Sequence, residues 1–320
     1  ERNRTYYEER PRYVNTPENV VPAYSSRSLT LQPCSESQTA LQKFRWADPM
    51  EQTSTSLNSL RETIPQDIRN ALATAGPMPS IAEIQQIYAG SSKRFHDADI
   101  SVSDPIFYGE DEQHQLQIYR GINRNSPSRL APVLVLVHGG GFTSGGLSSL
   151  TAVAKYFASI GYLVVNQTYP LAPEHRFPAG AEAVSQALSW VNQHIAEYEG
   201  NANRIFLLGH SAGGNHVANV VFRGAQFGAP VPLAGAILAS PALLQDSTAA
   251  GEPEKAYFGE NFASATLSLL NNIEDTDTPV LILTGEKDFE HMKSAAAMLI
   301  KTLIVDKGAS PRYRQLPAHS

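Results

Sequence analysis

The sequence predicts an α/β protein built on a mostly parallel central sheet with helices on both faces. Three observations carry that expectation. Fully apolar runs of strand length occur at 132–137, 162–165 and 205–208, helix-period segments separate them, and glycine-rich turns follow two of the runs. Strands buried on both faces lose polar alternation, and right-handed crossovers place helices over each face. With 320 residues, 42% of them hydrophobic, the chain can bury a sizeable core.

The elements follow in order. Residues 1–60 are rich in Ser, Thr, Pro, Asn and Arg with no sustained period, and read as an irregular N-terminal region. A helical segment follows over 61–95. "IPQDIRNALATAG" enters through Pro65 and leaves through Gly76, and "SIAEIQQIYAG" has Ser80 as N-cap, Glu83 three residues on and Gly90 as stop. From residue 96 to 320 the pattern is that of the main domain. "ISVSDPIFYG" and "HQLQIYRGI" alternate with period 2 about the acidic turn "EDEQ", predicting a strand pair. Strand runs then alternate with helices: "APVLVLVHGG" and "SSLTAVAKYFASIG"; "YLVVNQTY" and "AGAEAVSQALSWVNQHIAEYE"; "RIFLLGHS" and "AGGNHVANVVFRGA". The end of the chain holds "LAGAILASP", an insertion, "TPVLILTGEKD", a helix near 290–304, and "PRYRQLP".

Composition excludes several classes of function. The net charge is −6, from 25 basic and 31 acidic residues mixed along the chain, so no basic stripe exists for nucleic acid. Cys34 is the only cysteine, which excludes an intrachain disulfide and a cysteine-built zinc or iron–sulfur site. No run approaches the roughly 18–20 apolar residues of a membrane span. Compartment, cytoplasmic or secreted, and oligomeric state stay open. Two sequons occur, at Asn3 and Asn166, the second inside an expected buried strand.

The chemistry concentrates at two turns. Gly209-His210-Ser211-Ala212-Gly213 lies where a strand meets a helix. A serine on such a tight turn is strained, with its hydroxyl exposed above the sheet, and flanking glycines avoid Cβ clashes. His138-Gly139-Gly140-Gly141-Phe142 directly follows the strand "APVLVLV". A bare glycine run lets backbone N–H groups approach a developing oxyanion, so Gly140 and Gly141, with the N–H of Ala212, are the candidate oxyanion hole. Ser211 is then the candidate nucleophile.

A third stretch, "YPLAPEHRFPAG" from Tyr169 to Gly180, makes a resemblance specific. HGGGF, Y-x-LAPEH-x-FPA and G-x-SAGG, in that order, resemble the hormone-sensitive-lipase-like branch of the α/β-hydrolase family over about residues 100–320. The resemblance implies the α/β-hydrolase fold with a small helical cap, contributed by 65–90 and by the insertion at 243–278. It implies a serine carboxylesterase for short-to-medium acyl esters, with nucleophile, acid and histidine in that chain order, no metal and no diffusible cofactor. Its partner would be a small-molecule ester. The acid belongs just past the next-to-last strand, where "TPVLILTGEKD" offers Asp288, with Glu286 as fallback. Glu174 and His175 are read as bracing their loop, His138 as fixing the glycine turn, His210 as a side wall, and Glu290 and His291 as solvated.

The base is the open point. Of nine histidines, all but His319 lie away from the loop after the last strand or already hold structural positions. In the resembled family that loop often reads Gly-x-x-His or Gly-His-x-His. Setting Ala318 on the glycine places His319 two residues before the base, which then falls just beyond Ser320. Three readings stand: a chain cut from a longer protein, lacking the family's final helix and leaving one apolar sheet face partly uncovered; His319 as the base; or a non-catalytic binder, like the gibberellin receptors that resemble this family. Among enzymes, an arylformamidase or amidase on the same triad is the alternative.

Overall fold

The computed structural model describes residues 66–74, 83, 86–87, 99–122, 130–228, 231–243, 250–259, 269–274 and 277–316. All lie in one compact unit, Thr55–Ser320. The expected irregular region, most of the 80–90 helix and His319 fall outside the described residues.

Among the described residues, nine strands form one sheet: β1 (Ile100–Val102), β2 (Ile106–Phe107), β3 (Gln115–Gly121), β4 (Ala131–Val137), β5 (Leu163–Gln167), β6 (Gly200–His210), β7 (Gly235–Ala239), β8 (Val280–Gly285) and β9 (Arg312–Leu316). The order is β1-β3-β5-β4-β6-β7-β8-β9, with β2 also on β3. β3 runs antiparallel to β1, β2 and β5, and every pairing from β5 through β4 to β9 is parallel. The expected first strand is broken in two, because Pro105 supplies no N–H to a ladder. β6 begins at Gly200, ahead of the expected "RIFLL" run, and its register against β4 shifts between Pro132 and Val133.

Six α-helices accompany the sheet among the described residues: α1 (Gln66–Thr74), α2 (Thr151–Ser159), α3 (Ala179–His194), α4 (Ala212–Arg223), α5 (Glu252–Phe258) and α6 (Glu290–Lys301), the last running into a π-turn over Thr302–Asp306. The apolar runs divide cleanly between two cores. Val133, Val135 and Val137 of β4 join one cluster with Val184 of α3, Val217 of α4 and Leu299 of α6, whereas Leu134 and Leu136 join another with Ala154 and Ala158 of α2. Both faces of β4 are therefore dry, which is why its sequence shows no alternation. Each such buried Val or Leu contributes about 1.5–3 kcal/mol from burial.

The register levels the carboxyl ends of the central strands. Val137 stands opposite Gly209, Gly209 opposite Leu238, and Leu238 opposite Ile282. The turns after β4, β6, β7 and β8 consequently open at the same edge, the usual position of a ligand crevice in such sheets. Asn166, at the second sequon, is fully buried and donates from Nδ2 to the Leu147 carbonyl at 2.5 Å, so it offers no surface for a glycan.

Candidate active site

Ser211 caps α4 at φ 53°, ψ −118°, a conformation few L-residues adopt. The backbone around it accounts for that strain. Its N–H donates to the Ala239 carbonyl at 3.0 Å, and its own carbonyl accepts from Asn215 N–H at 3.2 Å and Ala242 N–H at 2.9 Å. The side chain of Asn215, buried in α4, donates to the Ala242 carbonyl at 3.0 Å and holds the loop after β7 against the elbow. The flanking glycines are required by close approach: a Cβ on Gly209 would lie 2.3 Å from the Gly213 carbonyl oxygen, and one on Gly213 2.3 Å from that of Val137.

The glycine turn packs directly on this elbow. A Cβ on Gly139 would come within 2.9 Å of the Ser211 Cβ and 3.0 Å of His210 Nδ1. Gly140 has φ 128°, and its carbonyl accepts from the N–H groups of Thr143 and Ser144 and from Ser144 Oγ at 2.8 Å, closing a tight turn. A Cβ there would fall 2.0 Å from the Ser144 carbonyl oxygen. Gly139 thus packs on the serine turn, and Gly140 and Gly141 continue the same tight turn.

His138 fixes this turn, as its sequence position suggested. It is fully buried, its Nδ1 lies 2.7 Å from the Gly139 carbonyl, and its ring stacks on Tyr169 with centroids 4.3 Å apart. A carbonyl only accepts, so Nδ1 carries the proton. Tyr169 Oη in turn donates to the His138 carbonyl at 2.9 Å. Burial lowers the His138 pKa, favouring the neutral imidazole, and the Gly139 contact offsets this in part. His216 of α4 sits edge-on to Tyr169 at 4.4 Å and to Phe142 at 5.4 Å, and desolvation lowers its pKa to about 3. Neither its Nδ1 nor its Nε2 has a hydrogen-bond partner.

Asp288 lies just past β8 and is 6% exposed. Its Oδ2 accepts from Gly285 N–H at 2.6 Å, which orients the carboxylate at the loop's start. Glu286, the fallback, is exposed and its N–H pairs with the Leu316 carbonyl at 2.9 Å, so burial separates the two acids. Asp288 also acts on His210: burial in the crowded elbow lowers the His210 pKa, and the nearby carboxylate pulls it back up. Although so crowded, His210 keeps an exposed edge at the wall of the site. His175 Nε2 lies 3.5 Å from Asp111 Oδ2, tying the "LAPEH" loop to the turn before β3, while Glu174, Glu290 and His291 are exposed. His319 lies outside the described residues, so the structure brings together Ser211, the glycine turn and the Asp288 strand end without describing the base.

Sequence reasoning missed Tyr169, Asn215 and Tyr257. Tyr169 stands at the start of a quoted stretch, but only packing reveals its hydroxyl bond to the His138 carbonyl. Asn215, in "AGGNHVANVV", begins a polar row with Asn219 and Arg223 at helical spacing, which is a readable signal. Tyr257, in the insertion, carries no local signature. Among the described residues, no group of three His, Cys, Asp or Glu is arranged to hold a metal, and no helix is long and apolar enough to cross a membrane.

A family profile described as alpha/beta hydrolase fold matches residues 134–305, more than half of the chain. Over 151 residues the chain is 39% identical to carboxylesterase NlhH of Mycobacterium tuberculosis, covering 47% of this chain and 41% of that protein. It is 37% identical to hormone-sensitive lipase of Bos taurus over 122 residues, 38% of this chain and 16% of the relative. Gibberellin receptor GID1B of Arabidopsis thaliana is 33% identical over 121 residues, 36% of this chain and 33% of that one. The matched stretch thus spans less than half the length of these relatives. Among solved structures, a bacterial heroin esterase shares the fold with TM-score 0.60 at 22% identity, covering 80% of this chain and 89% of that one. Esterase B from Lactobacillus rhamnosis shares it with TM-score 0.60 at 19% identity, covering 79% and 86%. The chain belongs to the α/β-hydrolase family.

Proposed function

We propose that this protein is a serine carboxylesterase acting on short-to-medium acyl esters through an acyl-enzyme. The observation that carries the reading is the strained Ser211 turn with the Gly139–Gly141 turn packed against it. The likeness to a carboxylesterase and an esterase of Mycobacterium tuberculosis supports it.

In this reading Ser211 Oγ attacks the ester carbonyl carbon, and the carbonyl π pair moves onto oxygen. The N–H groups of Gly140, Gly141 and Ala212 stabilise that oxyanion, a contribution worth about 3–4 kcal/mol per donor in comparable sites. A histidine takes the Oγ proton and returns it to the departing alkoxide as the tetrahedral carbon collapses. Water, deprotonated by the same histidine, then attacks the acyl carbon, and as the second tetrahedral carbon collapses the acyl–Oγ bond breaks, the histidine returns the proton to Ser211 Oγ and the acid leaves. Asp288 holds the imidazole tautomer and stabilises its protonated form. We assign the base to the segment after β9, where His319 is the histidine in this sequence.

Turnover of p-nitrophenyl acetate and butyrate tests the reading. Ser211→Ala is expected to lower kcat by at least ~10⁴-fold while leaving the fold intact. A variant retaining the full rate would reject it. The likeness to a gibberellin receptor keeps a binder on the same scaffold as the second reading. Absence of turnover, together with saturable binding of a small carboxylic acid, would favour that one, and faster cleavage of formamides than of matched esters would favour an arylformamidase.

A further inference from the structure

The insertion between β7 and β8 sends one short helix, α5, back over the glycine turn. Tyr257, near its end, is 1% exposed and stacks flat on Phe142, with centroids 4.6 Å apart and planes at 5°. Its Oη accepts from Gly180 N–H at 3.2 Å, and its carbonyl accepts from Phe177 N–H at 3.0 Å. His216 and Phe177 close on its ring edge-first, at 5.4 Å and 6.1 Å. Tyr257 is therefore held by the residue that follows Gly141, by the start of α3 and by the helix of the nucleophile.

Four residues earlier on α5 stands Pro253, which shares the face of Tyr257 because helical neighbours recur at that spacing. A Cβ built on Gly141 would lie 3.2 Å from Pro253 Cβ and 3.5 Å from its Cγ. Pro253 is exposed, so it stands at the surface beside Gly141 and not in the core. The packing beneath α5 is apolar: Phe142, Ala172, Ala212, Ala242 and Met292 form one buried cluster with Tyr257.

We propose that Tyr257 clasps α5 onto the oxyanion turn so that Pro253 acts as a specificity-determining wall, limiting the length of the apolar substrate group lying beside Gly141. This rests on the esterase reading and names what that site selects: esters with a short unbranched chain on that side. Pro253 is a rim residue that touches the substrate group, and Tyr257 is a positioning residue that acts through it.

The test measures kcat/KM for the full chain and its variants across p-nitrophenyl esters from acetate to octanoate, and across acetates of alcohols from methanol to octanol. Pro253→Gly is expected to raise the octanoate-to-acetate ratio, or the corresponding alcohol ratio, about tenfold, the effect of admitting two further methylenes. Pro253→Trp is expected to lower the same ratio below wild type. Tyr257→Ala should move the ratio in the direction of Pro253→Gly, whereas Tyr257→Phe, which keeps the stack, should hold the wild-type profile. An active wild type whose ratio is unmoved in both series by Pro253→Gly and Pro253→Trp overturns this proposal alone. A wild type that turns over no ester overturns the esterase reading and the proposal with it.

Discussion

The serine side and the acid side of the site are built by different means. Around Ser211 the backbone itself fixes the geometry: Gly139 has no room for a Cβ against Ser211, Gly140 sits at φ 128°, and the stacked His138 and Tyr169 rings brace the turn from below. At the end of β8, among the described residues, a side-chain bond orients the acid, from Gly285 N–H to Asp288 Oδ2 at 2.6 Å. The neighbouring strand is also open there, with Arg312–Gln315 of β9 exposed along its length. Among the described residues, one region is held by steric necessity over many atoms, and the other by a side-chain hydrogen bond beside an exposed strand. Substitutions of the turn glycines should consequently change structure and rate together, and those on the acid side rate alone.

The largest separating effect is expected at the acid. Asp288→Asn keeps the shape and its acceptor oxygen but removes the charge that, in the proposed mechanism, selects the tautomer, so kcat should fall about 10⁴-fold with the unfolding midpoint nearly unchanged. Glu286→Gln, two residues away and exposed, should change kcat by no more than about twofold; a larger loss would exchange the roles of the two carboxylates. Gly140→Ala comes next, at about 10²–10³-fold in kcat, because the turn must shift away from the Ser144 carbonyl and displaces oxyanion donors. Its unfolding midpoint in urea should drop as well, and an unchanged midpoint would contradict the steric account.

The smallest effect is a pH dependence beneath the serine turn. Unfolded, His216 titrates near its ordinary value of about 6.5, and folded at about 3. Between those values the unfolded chain holds a proton that the native protein does not, so stability is fully present above about 6.5 and falls as pH drops towards 3. The slope from this group approaches about 1.4 kcal/mol per pH unit. His216→Phe, which keeps an aromatic ring among Phe142, Tyr169 and Tyr257, should flatten the decline in urea stability between pH 6 and pH 4. An identical decline in both proteins would assign acid sensitivity elsewhere.

The same contrast explains how much of the molecule its residues reveal by themselves. Steric requirements leave glycines and a serine at fixed spacing, so the elbow, the glycine turn and their placement after apolar strands are legible in the sequence. Asp288 is legible only through topology, since an acid in "TGEKD" looks like any surface loop until the strand before it is counted. The break of the first strand at Pro105 and the early start of β6 at Gly200 are not legible, because pairing partners and a register shift decide them. Tyr257 is hidden for a similar reason: its partners Phe142, Phe177 and Gly180 are distant in sequence, and only packing brings them together.

Covalent capture of the nucleophile tests the central claim most directly. The full chain treated with a fluorophosphonate and digested for mass spectrometry should carry one phosphonyl adduct, on Ser211, at a rate that Asp288→Asn slows and Ser211→Ala abolishes. An unlabelled Ser211, or an adduct on another residue that persists in Ser211→Ala, would contradict the account.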